Sequence, residues 1–318
     1  MALSFGSVIF YLYLYQKLKD MVIAQYKNGN ADITITHDGT REIQYEGELS
    51  LDFPLNIDIR VSTQCSFGLN PKTGKAFCDF CHESATTDGV ECDYDQLRDK
   101  LIGLPKGIEL AIGCNKMTSD LRKFIFWCDM MGYIVNLTVN QGHLKQFDMI
   151  SALVECGVIK GLGISYRSSL PFNVPKYILD YEHTVFHVIC GIDSYLEVEA
   201  LSKQGVKKIL VLGEKDFGFN LGKVDLTTRK HREWFWWIHN MFNIFDVVSF
   251  DNLALQQLNI RRFFTQDNWE VFNQNEHSFY IDAVNKKLAP SSRSNDKINW
   301  DSINLKEYFK YKNDKEFV

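Results

Sequence analysis

The sequence lacks a hydrophobic run long enough to cross a membrane, because a spanning helix needs about 20 apolar residues. Its most apolar stretch, MALSFGSVIFYLYLY, ends after 15 residues, and no Lys or Arg precedes Lys17 as a secretory leader would require. We therefore expect residues 1–20 to be an apolar N-terminal extension that packs on the protein or precedes an internal start at Met21. An interfacial anchor is the alternative.

The chain also lacks an excess of positive charge. It contains 35 Lys and Arg residues against 40 Asp and Glu residues, which gives 318 residues a formal net charge of -5. Such a chain offers no broad positive field to a phosphate backbone, and we expect no extended nucleic-acid surface. A small or locally recognised substrate is favoured.

Without an export signal, the cysteines are expected to lie in a reducing, cytoplasmic compartment, where thiols stay free. Disulfides are therefore the weakest interpretation of these residues, and metal ligation or plain burial is left. The eight cysteines are Cys65, Cys78, Cys81, Cys92, Cys114, Cys128, Cys156 and Cys190.

The hydrophobic pattern divides the chain into four parts. Residues 21–52 contain the alternating stretch DITITHDGTREIQYEG and are predicted to form a β-hairpin. Residues 53–260 alternate between apolar strands and helices, and residues 261–318 are a polar C-terminal extension that we expect to be a lid or a loosely ordered tail.

Strands separated by helices indicate parallel pairing, because a parallel crossover needs a dozen or so residues. The expected fold class is therefore α/β, with a full or partial (β/α)6 TIM-like barrel behind the N-terminal β-hairpin. The aromatic helix at 231–245 is expected on the barrel exterior, with a pocket wall as the alternative. The predicted strands are residues 56–63, 107–113, 133–140, 161–166, 184–190 and 206–213, with a further one at 246–251.

One segment concentrates metal-binding chemistry. CSFGLNPKTGKAFCDFCHES, residues 65–84, follows the first barrel strand and has the spacing C-x12-C-x2-C. Loops at the C-terminal ends of barrel strands form the active sites of such folds, so the three thiolates are expected at the mouth of the barrel. Zinc is an alternative: Cys92 extends the spacing by x10 to four cysteines, and His82 is a further candidate ligand.

The stretch FPLNIDIRVSTQC, leading into FCDFCHES, resembles the radical S-adenosylmethionine superfamily. That family has a strand and then a cysteine loop that ends in C-x-aromatic-C, usually as C-x3-C-x2-C; here the first gap is expanded, as in small stand-alone and partly phage-encoded members. The resemblance covers about residues 50–260. It implies that Cys65, Cys78 and Cys81 hold three irons of a [4Fe-4S] cluster and leave one iron open.

The resemblance further implies an enzyme that cleaves S-adenosylmethionine reductively to a 5′-deoxyadenosyl radical, which abstracts hydrogen from substrate. An external low-potential electron donor such as flavodoxin or ferredoxin would supply the electron. The substrate is expected to be a nucleoside, nucleotide or modified DNA base, with peptide modification second. No cysteine follows Cys190, which argues against a C-terminal auxiliary cluster domain.

Other positions follow from the family pattern one by one. Cys114 and Cys190, at strand ends, are candidate hydrogen-atom donors. The residues expected to bind S-adenosylmethionine are Phe80, Gly113, Asn115, Asn140, Ser165, Ile189, Gly191 and Leu212. Asn115 and Ser194 stand where the family has Glu. The other reading of the chain is a non-catalytic, zinc-stabilised interaction protein that uses Cys65, Cys78, Cys81 and Cys92.

Overall fold

The computed structural model of the chain describes residues 22–37, 39–266, 269 and 278–315. The apolar extension predicted at residues 1–20 lies outside these ranges. Within them, no helix combines the length and the apolar character that crossing a membrane would take.

The hairpin predicted for residues 21–52 is part of a three-stranded antiparallel sheet. Its strands are β1 (Val22–Asn28), β2 (Ala31–Thr36) and β3 (Arg41–Tyr45), paired in that order. Alternate residues of β2, namely Ala31, Ile33 and Ile35, are buried, whereas β3 has no buried residue. The small sheet therefore uses one face of its central strand to join the core.

The main sheet contains seven parallel strands in chain order, as the alternation of strands and helices predicts. A short strand, β5 (Gln64–Leu69), begins the cysteine loop and lies outside both sheets. The seven are β4 (Asn56–Arg60), β6 (Glu109–Cys114), β7 (Ile134–Asn140), β8 (Ile159–Ser165), β9 (Thr184–Ile189), β10 (Lys208–Leu212) and β11 (Val247–Phe250).

Each of these strands pairs with the next one in chain order, so successive connections advance across the sheet in one direction. Since such connections are right-handed, their helices lie on one face of the sheet. The strands show this in their alternation: Leu110 and Ile112 of β6 are fully buried, whereas Ala111 and Gly113 face the other side. The helices are α1 (Tyr94–Leu101), α2 (Ser119–Met130), α3 (Phe147–Glu155), α4 (Lys176–Leu179), α5 (Tyr195–Glu199), α6 (Arg229–Met241), α7 (Asn252–Gln257) and α8 (Leu305–Lys315).

The C-terminal extension continues the main sheet, which the prediction of a lid or loose tail did not anticipate. A strand, β12 (Ser278–Asp282), pairs parallel with β4, and β13 (Lys287–Ala289) and β14 (Ile298–Asn299) follow antiparallel. The Phe279 ring lies 5.1 Å from Tyr308 and 5.0 Å from Phe309 of α8, between ring centroids. Because the segment is polar overall, its composition does not predict the short apolar strand β12 or the helix α8 that packs on it.

The predicted α/β class is confirmed as a mixed fold with one large, mostly parallel sheet. Within the described ranges, β11 and β14 form the two edges of this sheet and do not pair with each other. A closed TIM-like barrel is therefore not found, and the partial barrel stays a prediction.

Candidate functional site

A cavity of about 390 Å³ lies at the C-terminal ends of the parallel strands. This volume is within the range of small-molecule and cofactor sites. Its wall draws on β4 and on each strand from β6 to β10, on β12 and on the cysteine loop. The site therefore occupies the place where the loops of parallel α/β folds carry chemistry.

The cysteine loop places Cys65, Cys78 and Cys81 on one side of this cavity, and each is half-buried. Backbone hydrogen bonds fold the loop back on β5: the amide of Cys78 donates to the carbonyl oxygen of Phe67 at 3.1 Å. Gly68 permits the close approach behind it, since a Cβ there would lie 2.3 Å from the carbonyl oxygen of Ala85. The long first gap between cysteines is thus a folded element.

Burial raises the pKa of Cys65, and it raises the pKa of Cys78 to about 11 against the opposing effect of Arg167. The neighbouring cysteines add to the rise in the pKa of Cys65 and Cys78, so a bound cation would help to hold these two thiols deprotonated. At least one of the distances between the three Sγ atoms exceeds 4.8 Å. In the described residues, all distances stay within this value in one other group of potential metal ligands, His37, Glu182 and His183. A single tetrahedral zinc would bring them to about 3.8 Å, given a Zn–S bond of about 2.3 Å.

Arg167, which the sequence analysis missed, connects the cysteine loop to the sheet. Its guanidinium carbon lies 4.7 Å from the centre of the Phe80 ring, and Nη1 lies 3.6 Å from Oδ2 of the buried Asp193. Asp193 also accepts a hydrogen bond from the amide of Ser168 at 3.2 Å. The sequence does indicate this residue, because Arg167 is a cationic side chain two residues after the end of β8.

Most residues predicted to contact S-adenosylmethionine do line the cavity. A Cβ at Gly113 would meet no atom within 4 Å, so this position leaves open space beside the sheet. Asn140 turns its Oδ1 toward its own loop, where it accepts from the amide of Gly142 at 2.9 Å, which leaves its Nδ2 as the group for a ligand. The lining residues among those predicted are Phe80, Gly113, Asn115, Asn140, Ser165, Ile189 and Leu212.

Gly191 and Cys190 do not line the cavity, contrary to the sequence prediction. Alternation along β9 is the reason: Ile189 faces the cavity, so the Cys190 side chain projects to the opposite face. There the Cys190 thiol donates to Oε1 of Gln257 at 3.6 Å. Gly191 has a φ of +92° and packs against His231, whose Nε2 would lie 2.1 Å from a Cβ.

Cys114 borders the cavity but is almost fully buried, in alternation with Gly113. Burial raises the pKa of its thiol to about 12, and the negative charge of Glu91 adds to this rise. The thiol therefore stays protonated at neutral pH, as a hydrogen-atom donor requires.

A polar wall of the cavity is formed by β4, β12, the end of the cysteine loop and the segment after β10. Arg60 is held by two carboxylates: its Nε lies 2.9 Å from Oε2 of Glu83, and its Nη1 lies 3.1 Å from Oδ2 of Asp282. Tyr280 donates its hydroxyl to the same Glu83 oxygen at 3.1 Å. These charges satisfy one another, so we regard this network as the rigid backing of the wall.

In the described ranges, Asp58 and Lys215 line the cavity without a direct ion pair, although the charge of each favours the charged form of the other. Lys215 contacts neutral groups, with Nζ 3.1 Å from Nε2 of His82 and 3.2 Å from Oγ of Ser292. Asp58 has no hydrogen bond or ion pair to any residue in the described ranges, and its side chain is open to the cavity. The surrounding protein partly desolvates both groups: it raises the pKa of Asp58 and lowers the pKa of Lys215.

His187 lies on the cavity side of β9. Burial lowers its pKa to about 4, and the positive charge of Arg167 acts in the same direction. The ring fills the space above Gly163, where a Cβ would lie 2.5 Å from it. A neutral imidazole therefore faces the cavity at physiological pH.

The remaining predicted residues lie elsewhere. Cys92 is buried in the hydrophobic core and does not line the cavity, so the structure does not bring it to the other three cysteines of the zinc alternative. His82 does line the cavity, with Nε2 3.1 Å from Oε1 of Glu83. The aromatic helix α6 buries Trp234 and exposes Trp236 and Trp237, and none of its residues lines the cavity.

Comparison with known proteins adds no relative. The chain matches no family model, no curated protein and no solved structure.

Proposed function

We propose that the chain is a radical S-adenosylmethionine enzyme whose site is the cavity at the cysteine loop. The observation that carries the proposal is that three thiols from one loop, in the predicted C-x12-C-x2-C spacing, line one cavity at the C-terminal ends of sequential parallel strands. A [4Fe-4S] cluster held there would supply an open iron for S-adenosylmethionine and the electron that cleaves it.

The donor set suits such a cluster. Cys65, Cys78 and Cys81 are three soft ligands from one loop, and three thiolates are the ligand set that leaves one iron of a [4Fe-4S] cluster open. A four-iron cluster binds each thiolate at a different iron, which separates the sulfurs. Arg167 offsets part of the negative charge, since it lowers the pKa of Cys78 against the effect of burial.

The residues next to the trio would bind the nucleoside and amino acid parts of S-adenosylmethionine. Asn115 and Ser165 offer hydrogen-bonding groups at the ends of β6 and β8, and the open space at Gly113 admits a ligand close to the backbone. Phe80, Ile189 and Leu212 supply apolar surface for the adenine. Their role in this proposal is to orient the cofactor and keep water out.

The polar wall would bind the substrate. Asp58 and Lys215 lie on β4 and just after β10, which are not neighbours in the sheet, and both line the cavity. A substrate with an N–H group for Asp58 and an anionic or carbonyl oxygen for Lys215 fits this wall. Nucleosides, nucleotides and modified bases carry both, so they remain the proposed class.

The experiment is anaerobic reconstitution with iron and sulfide, followed by metal and sulfide analysis. We expect about four irons and four sulfides per chain, and loss of the cluster in Cys65→Ser, Cys78→Ser and Cys81→Ser. Cys156→Ser, which changes an exposed thiol, is the matched control and should retain the cluster. A colourless protein with one zinc, lost on Cys92→Ser, would favour the non-catalytic interaction protein.

A further inference from the structure

We propose that His37, Glu182 and His183 form a zinc site at the end of the main sheet opposite the cysteine cavity. His37 directly follows β2, and Glu182 and His183 directly precede β9. The cavity lies at the C-terminal ends of the strands, whereas this cluster lies at the N-terminal end of β9. The site is thus independent of the proposed enzymatic function.

The ligand atoms already lie close together. One ligand atom from each of the three residues lies within 4.8 Å of the other two. The two imidazole rings are 5.3 Å apart between centroids, with an interplanar angle of 62°. Tetrahedral zinc with bonds of about 2.1 Å would place these atoms about 3.4 Å apart, so side-chain rotation has at most about 1.4 Å to close.

The donor set selects a borderline transition metal. Two imidazole nitrogens and one carboxylate oxygen suit zinc, whereas Mg²⁺ and Ca²⁺ prefer oxygen ligands alone. Glu182 is exposed and both histidines are half-buried, so the ion has an entry path and water can complete the tetrahedron.

A metal there would tie the three-stranded sheet to the main domain. His37 follows a strand of the three-stranded sheet, whereas Glu182 and His183 precede a strand of the main sheet. The two sheets already share a hydrophobic core and the ion pair of Arg41 with Glu109. Because His37 is far in the sequence from the adjacent Glu182 and His183, zinc binds the folded chain better than the unfolded chain and raises its stability.

The test uses the full chain without a histidine tag, in the background Cys65→Ser, Cys78→Ser, Cys81→Ser, so that the cavity thiols do not compete. Zinc is titrated by calorimetry into this chain and into versions that add His37→Ala, His183→Ala or Glu182→Gln. We expect one zinc per chain, an affinity at least tenfold weaker in each histidine variant, and a zinc-dependent rise in melting temperature that those variants lose. His239→Ala, which changes an exposed histidine on α6, should bind zinc as the background does.

Cobalt gives a second measurement in the same background, in which the three cavity cysteines are replaced by serine. Cobalt at this site should add weak visible bands without the intense near-ultraviolet absorption of thiolate ligands, and His37→Ala should remove those bands. Absence of bound zinc, or an affinity unchanged by both histidine substitutions, would overturn the proposal. The contact between the rings would then be only packing.

Discussion

The guanidinium of Arg167 lies 4.7 Å from the centre of the Phe80 ring and joins the segment after β8 to the cysteine loop. Asp193 holds the other side of Arg167 at 3.6 Å, and both charged groups are almost fully buried. Since the same arginine lowers the pKa of Cys78 against the effect of burial, it couples the position of the loop to the charge of this thiol.

Arg167→Met should therefore destabilise the protein. The substitution leaves Asp193 buried without its cationic partner, and breaking a buried ion pair costs about 3 kcal/mol or more. Urea unfolding at pH 7 measures the loss. The double variant Arg167→Met/Asp193→Asn should recover part of it, while the exposed control Arg122→Met should change little. Equal losses in the single and double variants would show that the ion pair contributes nothing.

His187 should make stability depend on pH. Its pKa is lowered to about 4 in the folded chain from about 6.5 in the unfolded chain. Between pH 6.5 and pH 4, His187 is protonated in the unfolded chain but not in the folded chain. The free energy of unfolding therefore falls by about 3 kcal/mol as the pH drops over this range. His187→Gln should flatten this part of the profile in denaturant unfolding. A variant profile parallel to that of the native chain would contradict the assignment.

Asp58→Asn should increase stability at pH 7. Burial raises the pKa of the native carboxyl more than the positive charge of Lys215 lowers it, so its charged form opposes folding. The gain should shrink as the pH falls below the raised pKa of the folded chain, and most of it should be lost by about pH 3.8, the pKa of the carboxyl in the unfolded chain. Thermal unfolding of the variant at pH 7 and pH 4 measures this, with the exposed Asp246→Asn as control. A loss of stability at pH 7 would mean that Asp58 has a structural partner.

Cys190→Ser should leave cofactor cleavage within about twofold of the native rate. The Cys190 thiol contacts Gln257 on the face of β9 away from the cavity, so it cannot reach a substrate radical. Production of 5′-deoxyadenosine and the spectrum of products, compared by mass spectrometry, provide the measurement. A changed product spectrum would place Cys190 in the chemistry.

The sequence predicts the order of the main strands well because buried parallel strands are apolar runs separated by helical periodicity. It misses β12, since Ser278–Asp282 is one short apolar strand in a polar region and pairs with β4 from far along the chain. Barrel closure depends on such long-range pairing as well, so a local pattern cannot decide it.

The candidate site is predictable in part for a related reason. Spacing alone picks out Cys65, Cys78 and Cys81, because one loop carries all three. Asp58 and His187 are harder to predict, because each is a polar residue between two apolar neighbours within a strand. The alternation in NIDIR does mark Asp58 as facing away from the core. The orientation of Cys190 depends on the register of the end of β9, where a shift of one residue reverses the face.

The most direct test of the account is the release of 5′-deoxyadenosine. Reconstituted, reduced protein is incubated with S-adenosylmethionine under anaerobic conditions, and the nucleoside is quantified against Cys65→Ser, Cys78→Ser and Cys81→Ser. The account predicts formation by the native chain and by Cys156→Ser, and none above background in the other three. No nucleoside from a native chain that carries its iron and sulfide, or equal amounts from all variants, would contradict it.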